Sequence, residues 1–477
     1  MRLYPTLTSY GAAQTVTGSK HLIITVHDER ILLDCGLFQG EGKESDALNR
    51  TWGFDPKTIN YVILSHAHID HTGLIPKLIK DGFSGPIYCS ESTKHLCEIM
   101  LLDGAHIQES DLKRINARRK KRDEEPLIPL YTMEDAMEAL TYFEAIPTQK
   151  PVKIGQSTRV TLIPNAHILG SCAVHLNLMD LDGNPINFTF TGDIGRDSDL
   201  IFDGPFPFPQ SDYIVCESTY GNRLHDNNAD AKEQLFELIQ DVCVERNGKI
   251  IIPAFSVDRT QEIIYLLDQL AFEKRLPHIP VFVDSPLSVK ATNIMAQYKN
   301  EFNPEILDYI TKDGDPFGFP SLHYVSKVED SKAINDNQSA AIIISASGMA
   351  EAGRVKHHIA NNIENPNNAI LIVGYATPYT LAGQLLQGKS EVRIFGDFFA
   401  VNAQVHRMSN FSAHADYKEI IAYLGCQDAS KVKHVFLVHG AQDAMESFQA
   451  KLKNEGFPKV SPLIWGESRI LSPRKTY

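Results

Sequence analysis

The sequence predicts an α/β protein whose second half is built on a mostly parallel sheet, and two patterns carry that reading. Short apolar runs alternate with helical stretches from Tyr61 onward. Three later runs also end alike: residues 249–252 lead into Pro253-Ala254-Phe255, Val281-Phe282-Val283 into Asp284-Ser285-Pro286, and residues 341–344 into Ser345-Ala346-Ser347-Gly348. Each reads as a strand running into a helix start, the arrangement of parallel sheets, whose ligands gather at the strand ends. At 477 residues the chain exceeds a usual single domain, so two domains are expected.

In chain order, Leu22-Ile23-Ile24-Thr25-Val26, a polar turn over 27–30 and Ile31-Leu32-Leu33 form a hairpin that feeds into Asp34. Residues 61–64 read as a buried strand, 71–80 as a short helix and 87–89 as the next strand. A long helix over 93–121 carries a basic run at 113–122, and Pro126 and Pro129 break the pattern. Strands resume over 159–163, 173–178 and 186–191. The segment Gly204-Pro205-Phe206-Pro207-Phe208-Pro209 reads as a boundary, beyond which Tyr213-Ile214-Val215-Cys216 opens a second series of strands and helices.

Composition is that of an ordinary globular chain. No apolar run approaches the roughly 18 residues of a membrane span, and the N-terminus lacks a signal-peptide pattern, so a cytoplasmic protein with no membrane association is expected. The formal charge of -13 excludes a surface that is basic all over, the usual footprint of nonspecific nucleic-acid binders. The seven cysteines contain no C-x-x-C pair and read as buried or inert thiols.

The chemistry is concentrated in His66-Ala67-His68-Ile69-Asp70-His71, next to the apolar run 61–64. An extended segment puts residues two apart on one side, so His66 and His68 can bind one cation while Asp70 and His71 turn toward a second. Two cations in one site point to hydrolysis.

The spacing of this motif, with its flanks Asp34-Cys35-Gly36-Leu37-Phe38-Gln39-Gly40 and Ser65, Thr72, Gly73, resembles the RNA-processing branch of the metallo-β-lactamase superfamily. Further candidate ligands at strand ends are His167, Asp193 and His439. The resemblance implies two Zn²⁺ ions, one held by His66, His68 and His167, the other by Asp70, His71 and His439, with Asp193 bridging both. Asp34 is expected to orient ligands by hydrogen bonding rather than to bind metal.

Glu217 in Cys216-Glu217-Ser218-Thr219-Tyr220 and His414 in Phe411-Ser412-Ala413-His414-Ala415-Asp416 match motifs added in the β-CASP nucleases. His414 is the candidate general acid, held by Glu217, and Asp70 is the third candidate catalytic residue. This resemblance implies a metallo-β-lactamase αβ/βα sandwich over 1–207 and 398–477, with an inserted α/β β-CASP domain over 208–397. A His at position 439, where members resembling the DNA-processing branch carry an aliphatic residue, implies RNA as the partner.

Candidate substrate-binding residues are Ser345, Ser347, Gly348, Arg354, His357 and Arg259, because backbone N–H groups at helix starts bind phosphate oxygens. His357 and His358 point in different directions on a helix, so at most one faces substrate. Tyr379, Ala382, Asn410 and Ala166 depart from residues frequent in the family. The run 113–122 has seven Lys or Arg in ten positions and reads as a solvated helix end, with an RNA-gripping rim as the alternative.

The resulting expectation is a zinc-dependent ribonuclease that attacks phosphodiesters with a metal-bridging hydroxide, leaving 3′-hydroxyl and 5′-phosphate ends. A small-molecule metallohydrolase shares the zinc motifs but leaves the inserted domain, Glu217 and His414 without a role. A noncatalytic RNA-binding scaffold fits poorly with a full ligand set. Homodimerisation is implied by the resemblance alone.

Overall fold

The computed structural model of the chain describes residues 2–40, 42–225, 231–374, 376–408 and 411–473, so Asn410 lies outside it. The chain divides into two compact units. The first is Met1–Asp199, Gly204–Leu224 and His414–Tyr477, and the second is Leu200–Asp203 and His225–Ala413.

In the first unit two seven-stranded sheets lie face to face. One orders its strands Ser468–Ile470, Thr6–Gly11, Lys20–Ile24, Arg30–Leu33, Tyr61–Ile63, Ile87–Cys89, Phe143–Ala145. The other runs Val460–Pro462, His434–Val438, Tyr213–Glu217, Pro185–Phe190, Cys172–Met179, Arg159–Pro164, Val152–Lys153. Strict alternation builds the space between them. Leu162, Val174, Phe190, Val215 and Phe436 face one another across five strands of the second sheet, and they pack against Leu7, Ile23, Ile31, Leu33 and Ile63 of the first. Truncating a ring such as Phe190 here would cost about 3–5 kcal/mol.

Residues of opposite parity, Ile214, Cys216, Val435 and Leu437, point outward from the second sheet. They bury Ile420 and Leu424 of the helix Tyr417–Leu424 and Met445, Phe448 and Leu452 of the helix Gln442–Asn454. That alternation gives the α/β sandwich the sequence predicts.

Three details correct the sequence reading. The strand Tyr213–Glu217, expected in the inserted domain, pairs in parallel with Pro185–Phe190 on one side and His434–Val438 on the other. The inserted unit therefore starts after Leu224 rather than at 208. At the far end Gln404–Met408 joins the second unit's sheet, so the return falls at His414 rather than 398. Parallel partners distant in sequence leave no periodicity to register them.

The helix expected over 71–80 is in fact two, Ile69–Thr72 and Ile75–Lys80. Pro76, which has no N–H to donate and whose ring clashes with the preceding turn, sits at the start of the second.

The second unit holds a six-stranded, wholly parallel sheet ordered Leu322–Tyr324, Val281–Val283, Ala341–Ser345, Lys249–Pro253, Ala369–Val373, Gln404–Met408. On one face Ile251, Ile370 and Ile372 pack on Val355, Ile359 and Ile363. Six of the seven cysteines are buried and Cys426 is exposed, and all are free thiols. Among the described residues no helix is long and apolar enough to cross a membrane.

Candidate active site

Seven side chains converge at the strand ends of the first unit. His66, His68, Asp70 and His71 follow the strand Tyr61–Ile63, His167 follows Arg159–Pro164, Asp193 follows Pro185–Phe190, and His439 follows His434–Val438. Sequence distance is closed by backbone contacts that only glycine permits. A Cβ on Gly36 would lie 1.5 Å from the Asp70 carbonyl oxygen, and one on Gly195 2.0 Å from that of Ala166.

The ligand atoms form two groups that share Asp193. His66 Nε2 lies 3.0 Å from His68 Nδ1, which lies 3.2 Å from His167 Nε2. The Asp193 Oδ2 atom is 3.7 Å from His66 Nε2 and 3.6 Å from His167 Nε2. On the other side His71 Nε2 is 3.2 Å from Asp193 Oδ2, His439 Nε2 is 3.4 Å from Asp70 Oδ2, and His439 Nδ1 is 3.6 Å from Asp193 Oδ1. His66, His68, His167 and Asp193 form one set with metal-ligand proximity, Asp70, His71 and His439 a second, and Asp193, His414 and His439 a third.

The donor chemistry fits divalent cations. Burial and neighbouring imidazoles hold His66 well below the ordinary histidine value, and burial takes His68 down to about 4, so both present neutral lone pairs. Burial alone would raise Asp193 and Asp70. The surrounding histidines outweigh it, His439 and His71 around Asp193 and His71 with His439 around Asp70, and keep both carboxylates ionised. Burial likewise opposes charge on His71, yet Asp193, Asp34 and Asp70 pull its proton affinity well above normal, drawing positive charge to the place where a cation would supply it. The buried atoms His71 Nε2 and Asp193 Oδ1 make no hydrogen bond within the described protein.

Outer contacts aim the rings. Fully buried Asp34 accepts from Ser65 N at 2.8 Å, Ser65 Oγ at 2.9 Å and Ser19 Oγ at 3.1 Å, and its Oδ2 lies 2.6 Å from His71 Nδ1. The contact leaves His71 Nε2 turned to the ligand cluster. Thr219 Oγ1 lies 2.9 Å from His439 Nδ1. Sequence reasoning assigned no contact to Ser19, Ser65 or Thr219, since a hydroxyl beside or within a motif does not by itself state which ring it meets.

Glu217 and His414 stand beside the same cluster. Glu217 is fully buried, accepts from the Ile194 N–H at 2.6 Å, and its Oε1 lies 3.2 Å from His414 Nδ1. The His414 ring centroid is 4.6 Å from that of His167 and 5.6 Å from that of His439. Burial opposes charge on His414, but the carboxylates of Glu217, Asp193 and Asp70 outweigh it and raise the imidazole to about 9.

The six candidate substrate residues belong to the second unit. Ser345 is buried at the end of its strand and donates to the Asp284 carbonyl at 2.8 Å. Ser347 Oγ accepts from Ala352 N at 3.5 Å, and a Cβ on Gly348 would meet the Phe255 ring at 2.8 Å. Arg354 is committed internally, with Nη1 2.6 Å from Asp284 Oδ1 and Nη2 2.6 Å from the Ser326 carbonyl. Arg259 is buried and ion-paired to Glu262 and Asp258. His358 turns inward, its Nε2 2.6 Å from Asp284 Oδ2, while His357 is exposed. Asp284, named only as a strand end in the sequence, thus holds Ser345, Arg354 and His358 together. In the basic run, Arg114 pairs with Asp111 and Arg119 with Glu124 on an exposed helix end.

Comparison with known proteins agrees with this architecture. Residues 19–147 match the metallo-β-lactamase superfamily, 260–385 the β-CASP domain, and 399–462 the Zn-dependent metallo-hydrolase RNA specificity domain. The chain is 32% identical over 473 residues to ribonuclease TTHA0252 of Thermus thermophilus, covering 98% of this chain and 99% of that protein. It is 28% identical to the transcription termination factor FttA of Methanosarcina mazei, over 94% of this chain and 69% of that one. It is also 28% identical to an RNase J-like protein of Methanocaldococcus jannaschii, over 92% and 93%. A crystal structure of a protein of unknown function from Enterococcus faecalis shares the fold, with a TM-score of 0.54 at 13% identity over 98% of this chain and all of that one.

Proposed function

The chain belongs to the β-CASP RNA-processing nucleases of the metallo-β-lactamase superfamily, and from that premise we propose that its metal-dependent hydrolysis of RNA uses two zinc ions and His414 as general acid. The observation that carries the reading is the place of Asp193 Oδ2, 3.6 Å from His167 Nε2 on one side and 3.2 Å from His71 Nε2 on the other. His66, His68 and His167 would hold one ion, Asp70, His71 and His439 the other, with Asp193 between them. When bound, such ions activate water near neutral pH and neutralise charge developing on the phosphoryl group.

The chain's own groups do the rest. Asp70 Oδ2, ionised beside His439, orients the attacking water, whose proton leaves to solvent. His414, with Nδ1 at Glu217, carries the proton to be delivered on Nε2 and passes it to the departing 3′ oxygen, leaving 3′-hydroxyl and 5′-phosphate ends. Ser345, Ser347 and Gly348 are assigned to phosphate through their turn, whereas Arg354 supports that turn through Asp284 and Arg259 is paired with Glu262 and Asp258.

Incubating the zinc-loaded protein with 5′-labelled RNA, matched DNA and circular RNA tests the assignment. RNA cleavage that is lost in Asp70→Ala and in His414→Ala, with both variants still folded, is the expected result. Retained cleavage in either variant refutes its role. Cutting of the circle demonstrates internal cleavage, and activity confined to a lactone or thioester overturns the RNA assignment.

A further inference from the structure

The hairpin Glu391–Ile394 and Asp397–Ala400 of the second unit turns through two residues, Phe395 and Gly396, with φ of 55° and 106°. Such turns favour Asn, Asp or Gly at the first position, because a larger side chain resists positive φ. Here that position is a phenylalanine, and it is 47% exposed.

Core packing does not account for it. Val392, Ile394 and Phe399 already point into the unit's apolar cluster. Period-two alternation then leaves Phe398 on the outward face, where it is 68% exposed opposite Arg393.

Each exposed ring is accompanied by a cation. Phe395 lies against His357, with centroids 4.3 Å apart and planes 30° from parallel, and Lys356 Nζ is 5.5 Å from its centroid. The Arg393 guanidinium is 5.8 Å from the Phe398 centroid. His357 is lowered from its ordinary value first by partial burial, then by His358, Lys332 and Lys356. Its charged surroundings are thus basic, and its ring is a neutral flat surface extending that of Phe395.

Exposed aromatic rings interleaved with Lys and Arg are what single-stranded nucleic acid needs, stacking for bases and charge for phosphates. Glu391 and Asp397 on the same hairpin temper the field, so stacking supplies more of the affinity than charge. We propose that Phe395, Phe398 and His357, with Lys356 and Arg393, form a sequence-tolerant stacking site for single-stranded RNA on the second unit. The proposal rests on the RNA assignment above and places strand capture on groups separate from the ligand cluster.

The test is Phe395→Asn, which suits the turn and removes the ring, made in the noncleaving Asp70→Asn protein. Binding of a 12-nucleotide oligo(A) carrying 2-aminopurine is followed by anisotropy and by stacking-induced quenching. The expected result is affinity weakened roughly ten-fold with loss of quenching, while thermal unfolding is unchanged or improved. Lys356→Gln should flatten the slope of log affinity against log salt by about 0.7, the contribution of one contact to a single strand.

Affinity and quenching retained in Phe395→Asn would overturn the proposal. A change in oligomeric state with RNA affinity intact would overturn it too, identifying the hairpin as an interface between copies. Because binding is read in a protein that does not cut, failure here stays distinct from failure of the His414 or Asp70 assignments.

Discussion

Asp34→Asn isolates one contribution to the metal centre. The φ of 58° at Asp34 suits Asn as well as Asp, so the backbone is not strained by the change. The amide oxygen can still accept from Ser65 N. The amide nitrogen, however, replaces the Oδ2 that serves Ser19 Oγ, Ser65 Oγ and His71 Nδ1. A donor now faces Nδ1, which favours the tautomer with its proton on Nε2, the atom that should offer a lone pair to the cation.

Loss of such an outer contact typically weakens metal binding 10–100-fold, or about 1.4–2.7 kcal/mol. The weakening should fall mainly on the site of Asp70, His71 and His439, because Asp34 contacts His71 directly and reaches His66 only through Ser65 Oγ, 3.0 Å from His66 Nδ1. Zinc titration against a chromophoric chelator should therefore resolve one step weakened much more than the other, with metal-free unfolding measured alongside. Two unchanged steps would refute the orienting role. Equal weakening of both with a destabilised apoprotein would show a structural effect instead.

Glu217→Gln should move the alkaline limb of the pH–rate profile down by about 1–2 units, the worth of one charge-assisted hydrogen bond. The sign follows because a lower His414 pKa depletes the acid form sooner as pH rises, and Glu217 is the largest of the groups that raise it. A loss of rate equal at every pH would contradict this. Asp284→Asn, which breaks the buried pair with Arg354, should raise KM for RNA roughly ten-fold with a smaller effect on kcat, and a loss confined to kcat would reject its positioning of the Ser345 turn. Replacing Lys113, Arg118, Lys120 and Lys121 with Gln should leave the salt slope of RNA binding unchanged if the run is only a solvated helix end, whereas a slope flattened by about 0.7 per residue would assign it to RNA.

The sequence by itself determined the ligand set's beginning and the class of fold. Three histidines and a carboxylate within six positions specify metal chemistry through local geometry, and strand–helix alternation specifies a layered sheet because both periods are read over a few residues. Resemblance extended this to Glu217 and His414, which the structure brings within 3.2 Å of each other across 197 residues.

Tertiary structure alone decided the partners. Tyr213–Glu217 looked like the first strand of a new domain, but its parallel neighbours, one more than 200 residues downstream, claim it for the sandwich. Arg354 and Arg259 were candidates for phosphate because they stand near helix starts, and only the fold shows each paired with a buried carboxylate, Asp284 and Glu262. Conversely nothing local singles out Phe395, and only a positive-φ turn with the core already filled leaves it exposed. Local pattern states what a side chain is capable of, while non-local pairing settles which atoms remain to meet a ligand.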